Sequence, residues 1–565
     1  EYRPYDYYGD PEAENIIIAM GSVTETIKET IDYPAAQGRK VGALIVRLYR
    51  PFSAKYFLKV LPKSVKKIAV LDRTKEPGAL GEPLYQDIKT IFQGAENAPL
   101  IVGGRYGLSS KDTTPAQIVA VYDNLDSAEP KNGFTIGIVD DLSFKSLPVK
   151  EEISIVKPGT TECKFYGLGS DGTVGANKNT IKIIGDHTPK YAQGYFDYDS
   201  KKSGGYTCSH LRFGDVPIKA PYLVSTPDFV ACHVPSYLSK YNVLEGIKQN
   251  GTLLLNSLWD EEETLKRIPD NVRAIIAKKN ISVYIINATK IAAEIGLGGR
   301  TNTILQSAFF KITGVIPYED AVAFMKKAIV KSYGKKGENI VNMNYAAVDR
   351  GGEYTKLEIP EDWKNISAKF ENPNRNRMAP TFVKNIADVV NAQQGDKLPV
   401  SAFKDIADGT IPAGTAAYEK RGVAVMVPEW DETKCIQCNS CSYVCPHAAI
   451  RPFLMTEEEA AAAPASIKKQ QGKAVLKDYK FTIQVSPADC TGCGNCVDVC
   501  LAKEKAIKMV PYDTQVAEQA NFDYLNSKVG YKEDIVSKSA NVKNSQFAQP
   551  LFEFSGACAG CGETP

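Results

Sequence analysis

The sequence predicts a multidomain α/β protein with two doubly wound α/β domains, then an irregular linker domain, then a small α+β domain. Three observations carry this prediction. Short apolar runs alternate with amphipathic stretches along residues 1–370, the pattern of parallel sheets covered by helices. Periodicity then fades over residues 371–427, where Pro373, Pro380, Pro399 and Pro412 punctuate the chain. Eight cysteines finally stand in two registered quartets between Cys435 and Cys500.

A chain of 565 residues allows about three to five domains. Hydrophobic residues make up 43% and charged residues 24%, so each domain can bury its own core. The formal net charge of +2 argues against a nucleic-acid partner. No run approaches the roughly twenty apolar residues of a membrane span, and Glu1 opens no signal-peptide pattern. Thirteen cysteines, ten of them in clustered spacings, point to a reducing cytoplasm rather than a disulfide scaffold. The solitary Cys163, Cys208 and Cys232 read as buried thiols.

Residues 1–157 form the first α/β domain. Apolar runs at 16–20, 43–48, 68–71, 100–102 and 134–139 read as buried strands, and 23–31, 54–61, 84–92 and 115–125 as helices. Gly21, Gly103 and Gly104 follow strand ends, where ligands of such sheets approach, although glycine there serves simple turns as readily. The charged loop 73–82 after the third strand suits an anionic substrate, a neighbouring domain or plain solvent.

Residues 158–370 form the second α/β domain. Here Gly167, Gly169 and Gly172 make a G-x-G-x-x-G run, with Ser170, Asp171 and Thr173 inside or beside it and Lys178 further on. The run falls between a short strand and a helix at 179–184, so its backbone can approach a phosphate that faces the helix N-terminus. Asp186 stands near the distance for a ribose diol but follows the helix instead of ending a strand. The next strand, 191–199, leads into Lys201-Lys202-Ser203-Gly204-Gly205, which suits a phosphomonoester. Coenzyme A, with its pyrophosphate and 3'-phosphate, fits that arrangement, and so does NADPH with its 2'-phosphate. His210 and Arg212 read as structural residues, with an anion site or a domain contact as the other reading. Strands follow at 229–233, 252–255 and 283–286. The turn from Gly296 to Asn302 then opens another helix and offers Arg300 to something anionic, and a helical stretch at 321–333 follows.

The linker domain is 371–427 and the cluster domain 428–545, with a helix at 457–463 and a strand at 480–485. Cys435, Cys438, Cys441 and Cys445, followed by Pro446, repeat as Cys490, Cys493, Cys496 and Cys500, followed by Leu501. Each quartet is C-x2-C-x2-C-x3-C, the bacterial two-cluster ferredoxin pattern, in which three thiolates hold one cube and the fourth reaches the other. This makes the domain a ferredoxin-like 2x[4Fe-4S] module. Cys435, Cys438, Cys441 and Cys500 are expected to hold one [4Fe-4S] cluster, and Cys490, Cys493, Cys496 and Cys445 the other. A zinc ribbon would pair cysteines two by two. Residues 546–565 open a further unit, where Cys558 and Cys561 form a C-x-x-C that stops before any partners. The chain therefore reads as an interior portion of a longer polypeptide.

The glycine loop 167–178, the Gly-Gly-Arg-Thr-Asn turn, the stretch 414–422, Pro428-Glu-Trp-Asp, both quartets and the Cys558 stretch together resemble pyruvate:ferredoxin (flavodoxin) oxidoreductases. That resemblance implies a transketolase C-terminal-like first domain, a coenzyme A-associated second domain and the start of a thiamine diphosphate-binding domain at 546–565. It implies oxidative decarboxylation of pyruvate with coenzyme A to acetyl-coenzyme A, electrons passing to ferredoxin or flavodoxin. It also implies thiamine diphosphate with Mg2+, a third [4Fe-4S] cluster ligated in part by Cys558 and Cys561, and a homodimer in full-length form. No Gly-Asp-Gly followed by Asn-Asn at thiamine spacing occurs, so no catalytic residue is assigned and this chain alone is expected to lack the thiamine site. Two other classes stay open: a stand-alone iron–sulfur electron-transfer protein, and an NADPH-linked iron–sulfur reductase.

Overall fold

The computed structural model describes residues 3–109, 111–169, 171–199, 204–371 and 378–551. In the first domain β1 (Tyr5–Gly9), β2 (Asn15–Met20), β3 (Val41–Val46), β4 (Lys67–Asp72), β5 (Leu100–Arg105) and β6 (Phe134–Thr135) form one sheet in the order β1-β3-β2-β4-β5-β6. All are parallel except β1, an antiparallel edge that the sequence reading did not include. Side chains alternate along β2. Ile17 and Ala19 pack with Val23, Ile27 and Ile118 on one face, while Ile16 and Ile18 pack with Phe57, Leu84 and Ile88 on the other. The domain is therefore doubly wound, with a helix pair on each side. Two caps fix where helices start. Asp72, at the end of β4, accepts the amides of Leu84 and Tyr85 at 3.0 and 3.1 Å, and Thr114 with Gln117 closes a capping box ahead of Pro115.

The second sheet contains β7 (Thr160–Leu168), β8 (Tyr191–Tyr198), β9 (Tyr206–Gly214), β10 (Phe229–Cys232), β11 (Thr252–Asn256), β12 (Ser282–Ile286) and β13 (Thr355–Lys356), in the order β13-β12-β11-β10-β7-β9-β8. Only β7, β10, β11 and β12 run parallel, and antiparallel strands extend the sheet at both edges. The helices Thr173–His187, Asn302–Thr313, Tyr318–Tyr333 and Glu338–Arg350 cover one face. Tyr237, Leu238, Val272 and Ile276 help to close the other.

His210 and Arg212 lie within β9, all nine of whose residues are buried. His210 Nδ1 accepts the Val224 amide at 3.2 Å. Arg212 donates to Glu162 Oε1 at 2.8 Å and to the carbonyls of Tyr222 and Leu223 at 2.7 and 3.0 Å. The loop so held reaches the first domain, where Tyr222 donates to Glu29 at 3.0 Å and the Leu223 amide to Asp112 at 3.0 Å. Both residues are thus structural and brace a domain contact.

The described part of the linker consists of short 3₁₀, π and α turns. One of them is pinned to the first domain by the Val400 amide on Val139 O at 2.9 Å. The cluster domain contains β14 (Met426–Trp430), β15 (Ile450–Met455), β16 (Gln470–Gln471), β17 (Lys480–Val485) and β18 (Ile507–Pro511). β14 pairs with β18, and β15-β17-β16 form a three-stranded antiparallel sheet. β17 falls on the strand expected at 480–485. The helix Glu457–Ala462 starts at a Thr456–Glu459 capping box. No helix among the described residues is long and apolar enough to cross a membrane.

Candidate cluster sites and anion cleft

The cysteine loops wrap tightly because several of their residues adopt left-handed backbone: Gln437 at φ 61°, Asn439 at 60°, Gly492 at 74° and Gly494 at 79°. Gln437 is fully buried. Its amide nitrogen donates to Gln470 Oε1 at 2.9 Å and Gln471 O at 2.8 Å, while its oxygen accepts the Lys473 amide at 3.0 Å. The long interval between the quartets thus supplies a sheet that holds the first loop in place. On the other side, Asn439 donates to Lys543 O at 2.9 Å and Ser442 to Gln546 Oε1 at 3.0 Å, so the segment 543–546 covers the short helix that carries Cys441.

The thiols gather in two sets. Burial, then the neighbouring Cys445, Cys496 and Cys493, raises the Cys490 thiol. Burial, Cys445 and Cys493 push Cys496 up to about 12. Burial raises Cys435 too, with Cys438 and Cys500 as its thiol neighbours. One cavity is lined by Cys445, Cys490, Cys493 and Cys496 together. Backbone amides point at sulfur in both sets: Gln437 on Cys435 at 3.4 Å, Ala506 on Cys500 at 3.3 Å, Ala449 on Cys445 at 3.3 Å and Gly492 on Cys490 at 3.4 Å. Such donors stabilise thiolate charge and tune cluster potentials. Among the described residues no three His, Cys, Asp or Glu groups converge on a single-ion site. The donor set and the amides fit a cube in each set, and the cavity fits the one held by Cys445, Cys490, Cys493 and Cys496.

The glycine loop behaves differently from its sequence reading. A Cβ on Gly167 would stand 2.6 Å from the Thr173 side chain, and one on Gly172, at φ 90°, 2.8 Å from Asn302 Cγ. Both positions require glycine. Gly169 is tied to the following hairpin through Gly205 O and the Gly204 amide, at 2.7 and 3.1 Å. Asp171 accepts the amides of Leu168 and Thr173 at 2.9 and 2.7 Å and the Thr173 hydroxyl at 2.8 Å. The loop's own carboxylate therefore takes amides expected to face a phosphate, and its burial raises its pKa.

What stays open is a cleft of about 290 Å³ on the other side of Gly172, lined by Gly175, Asn179, Asn302, Gln306 and Ser332 among others. The N-termini of two helices, Thr173–His187 and Asn302–Thr313, meet there. Gln306 is 7% exposed and its Nε2 has no hydrogen-bond partner among the described residues. Asn302 is thus brought to the glycine loop as the sequence suggested. Lys178 is exposed, with its ammonium 5.2 Å over the Phe196 ring and outside the cleft lining. Arg300 is exposed and forms no ion pair among the described residues. Ser170, Lys201, Lys202, Cys558 and Cys561 lie outside the described residues.

Sequence reasoning missed His233 and Gln306, buried polar groups in apolar surroundings that leave no spacing signal. His233 follows β10, and its Nδ1 is 2.7 Å from Thr173 Oγ1. Burial pushes its pKa down to about 3, so it stays neutral in the folded protein while the unfolded chain protonates near 6.5. The unfolded state then binds more protons between these values, so stability is full above about pH 6.5 and is lost as pH falls toward 3. The His233→Gln variant is expected to flatten the acid limb of a denaturation-midpoint against pH curve. An unchanged slope would remove His233 as its cause.

Residues 13–118 match the family described as Pyruvate:ferredoxin oxidoreductase core domain II, and residues 162–354 match Pyruvate ferredoxin/flavodoxin oxidoreductase. Residues 369–424 match a domain of unknown function and residues 434–503 a 4Fe-4S dicluster domain. The chain is 55% identical over 568 residues to a pyruvate:ferredoxin oxidoreductase of Moorella thermoacetica and 53% identical over 567 residues to a pyruvate-flavodoxin oxidoreductase of Enterobacter agglomerans. Each match covers 100% of this chain and 48% of the relative. A mitochondrial pyruvate dehydrogenase [NADP(+)] of Euglena gracilis is 43% identical over 572 residues, covering 100% of this chain and 31% of that protein. The chain spans about half the length of the two bacterial relatives.

Proposed function

From a chain that matches pyruvate:ferredoxin and pyruvate-flavodoxin oxidoreductases along its whole length, we propose that this is the electron-relay and coenzyme A-binding portion of such an enzyme, acting in the cytoplasm on pyruvate. The observation that carries the reading is the cavity lined by Cys445, Cys490, Cys493 and Cys496, within a stretch that matches a 4Fe-4S dicluster domain. Cys435, Cys438, Cys441 and Cys500 hold one cluster, and Cys490, Cys493, Cys496 and Cys445 the other. The clusters supply single-electron transfer, and the amides at Cys435, Cys445, Cys490 and Cys500 favour the added negative charge. Ferredoxin or flavodoxin receives the electrons. Thiamine diphosphate with Mg2+ and a third cluster, with Cys558 and Cys561 among its ligands, complete the enzyme in its full-length homodimer.

Coenzyme A is the substrate of the Gly172 cleft. The N-terminus of the Asn302–Thr313 helix favours its phosphates there, Gln306 offers an amide donor unpartnered among the described residues, and Arg300, two residues before Asn302, supplies positive charge. Asp171 and Thr173 shape the loop through their mutual hydrogen bonds.

Anaerobic iron and sulfide analysis should give about eight irons for the two cubes. Calorimetric titration should show coenzyme A binding that Gly172→Ala weakens by about tenfold or more, about 1.4 kcal/mol, because the new methyl group meets Asn302. Tight NADPH binding without coenzyme A binding would overturn the substrate assignment.

A further inference from the structure

Residues 419–421, Glu-Lys-Arg, fall in the matched domain of unknown function and stand at a junction of three parts of the molecule. Lys420 Nζ is 2.5 Å from Asp489 Oδ2, next to Cys490. The Arg421 guanidinium donates to Gly204 O, in the hairpin between β8 and β9. Its Nε is 3.8 Å from Glu419, a long ion pair. The Gly422 amide donates to Ala488 O at 2.7 Å.

Glycines let these parts touch. A Cβ on Gly204 would lie 3.0 Å from Thr491 Cγ2 and 3.7 Å from Arg421 Nη2, and one on Gly492 would lie 2.8 Å from Met426 O. The guanidinium, the hairpin and the loop between Cys490 and Cys493 therefore pack without a gap. His447 lines the second cysteine cavity and also a small polar pocket shared with Glu419, Lys420, Arg421 and Asp489. His447 thus borders both the Arg421 pocket and the cavity, with Arg421 as its charged neighbour. Lys240, whose ammonium lies against Gly422, is pushed down to about 7 by burial and by the neighbouring Arg421.

We propose that Lys420 and Arg421 are positioning residues for the second cluster, Lys420 anchoring the 488–492 loop through Asp489 and Arg421 locking that loop to the Gly204 hairpin with a positive charge behind the cluster. Reduction adds negative charge to a cube, so a cation nearby favours the reduced state. This rests on the cluster assignment above.

The test is an anaerobic redox titration of the intact chain, with both clusters followed by electron paramagnetic resonance. Arg421→Gln is expected to disfavour reduction of the second cluster about tenfold, about 59 mV for one electron, with the first cluster unmoved. Arg421→Lys should recover most of the shift. Asp489→Asn, which removes the negative charge facing Lys420 beside Cys490, should shift the second cluster the opposite way, and this arm decides if Arg421→Gln fails to assemble that cluster. Unmoved potentials with both clusters present would overturn the proposal, as would equal shifts at both clusters, which mark general loosening. Fewer than two clusters in the unsubstituted chain would instead overturn the cluster assignment itself.

Discussion

Cys445→Ala is expected to remove one whole cluster, taking iron from about eight to about four per chain. The signal lost should be the same one lost in Cys490→Ala, although 44 intervening positions separate the two residues. Its physical basis is proximity. Cys445 and Cys493 both raise the Cys496 thiol, Cys445 and Cys490 line one cavity, and Cys500 belongs with Cys435 on the other side. Removing one thiolate leaves a corner of the cube without its ligand in a buried site. Cys500→Ala is the complementary variant and should abolish the other signal, the one lost in Cys435→Ala. Electron paramagnetic resonance of the four reduced variants sorts them into two pairs. If Cys445 paired with Cys435, or Cys500 with Cys490, crossed ligation would be wrong and each quartet would hold its own cube.

The cysteine spacing was legible because it encodes ligand chemistry directly, without help from the rest of the fold. The parallel strands were legible for a related reason: runs such as Ile16–Ile18 in β2 and Val41–Val46 face apolar surroundings on both sides, so hydrophobicity alone marks them. β9 was not legible. Every residue of Tyr206–Gly214 is buried, yet Ser209, His210 and Arg212 interrupt the apolar run, and the partners that satisfy His210 and Arg212 lie in the 220–226 loop and in β7, distant in sequence. The helix expected at 179–184 proved to run over Thr173–His187. Its first turn was hidden by Gly175 and by polar side chains at Thr173 and Asn177, which turn inward. The candidate cleft beside Gly172 was half legible. Gly172 and Asn302 each carried a local signal, but only the fold joins them, and Gln306 and Ser307 are two polar residues within the otherwise apolar run 304–310.

The largest effect on stability is expected at Arg212. Its side chain is 4% exposed and that of its partner Glu162 1%, so both charges have left water, at a cost their pairing must offset. The guanidinium is well satisfied: Nε reaches Glu162, Nη1 reaches Gln193 and Tyr222 O, and Nη2 reaches Leu223 O. Arg212→Met fills similar volume but strands the Glu162 carboxylate, leaving it with the Thr226 hydroxyl at 2.9 Å and Lys248 at 3.9 Å. Breaking a buried pair from one side costs about 3–5 kcal/mol. In a domain of this size each kcal/mol moves the melting temperature by roughly 2–4 °C, so a drop of at least about 6 °C is expected. The same change frees the carbonyls of Tyr222 and Leu223, and with them the loop whose contacts with Glu29 and Asp112 join the two α/β domains. The double variant Arg212→Met with Glu162→Met should recover the part of the loss that comes from the stranded Glu162 charge, while the freed Tyr222 and Leu223 carbonyls keep the remainder. Iron content should stay unchanged in both, since the cysteine sets lie in a different domain. A melting temperature within 1 °C of the parent for Arg212→Met alone would mean that the ion pair is not what holds this junction, and that the apolar packing of β9 carries it unaided.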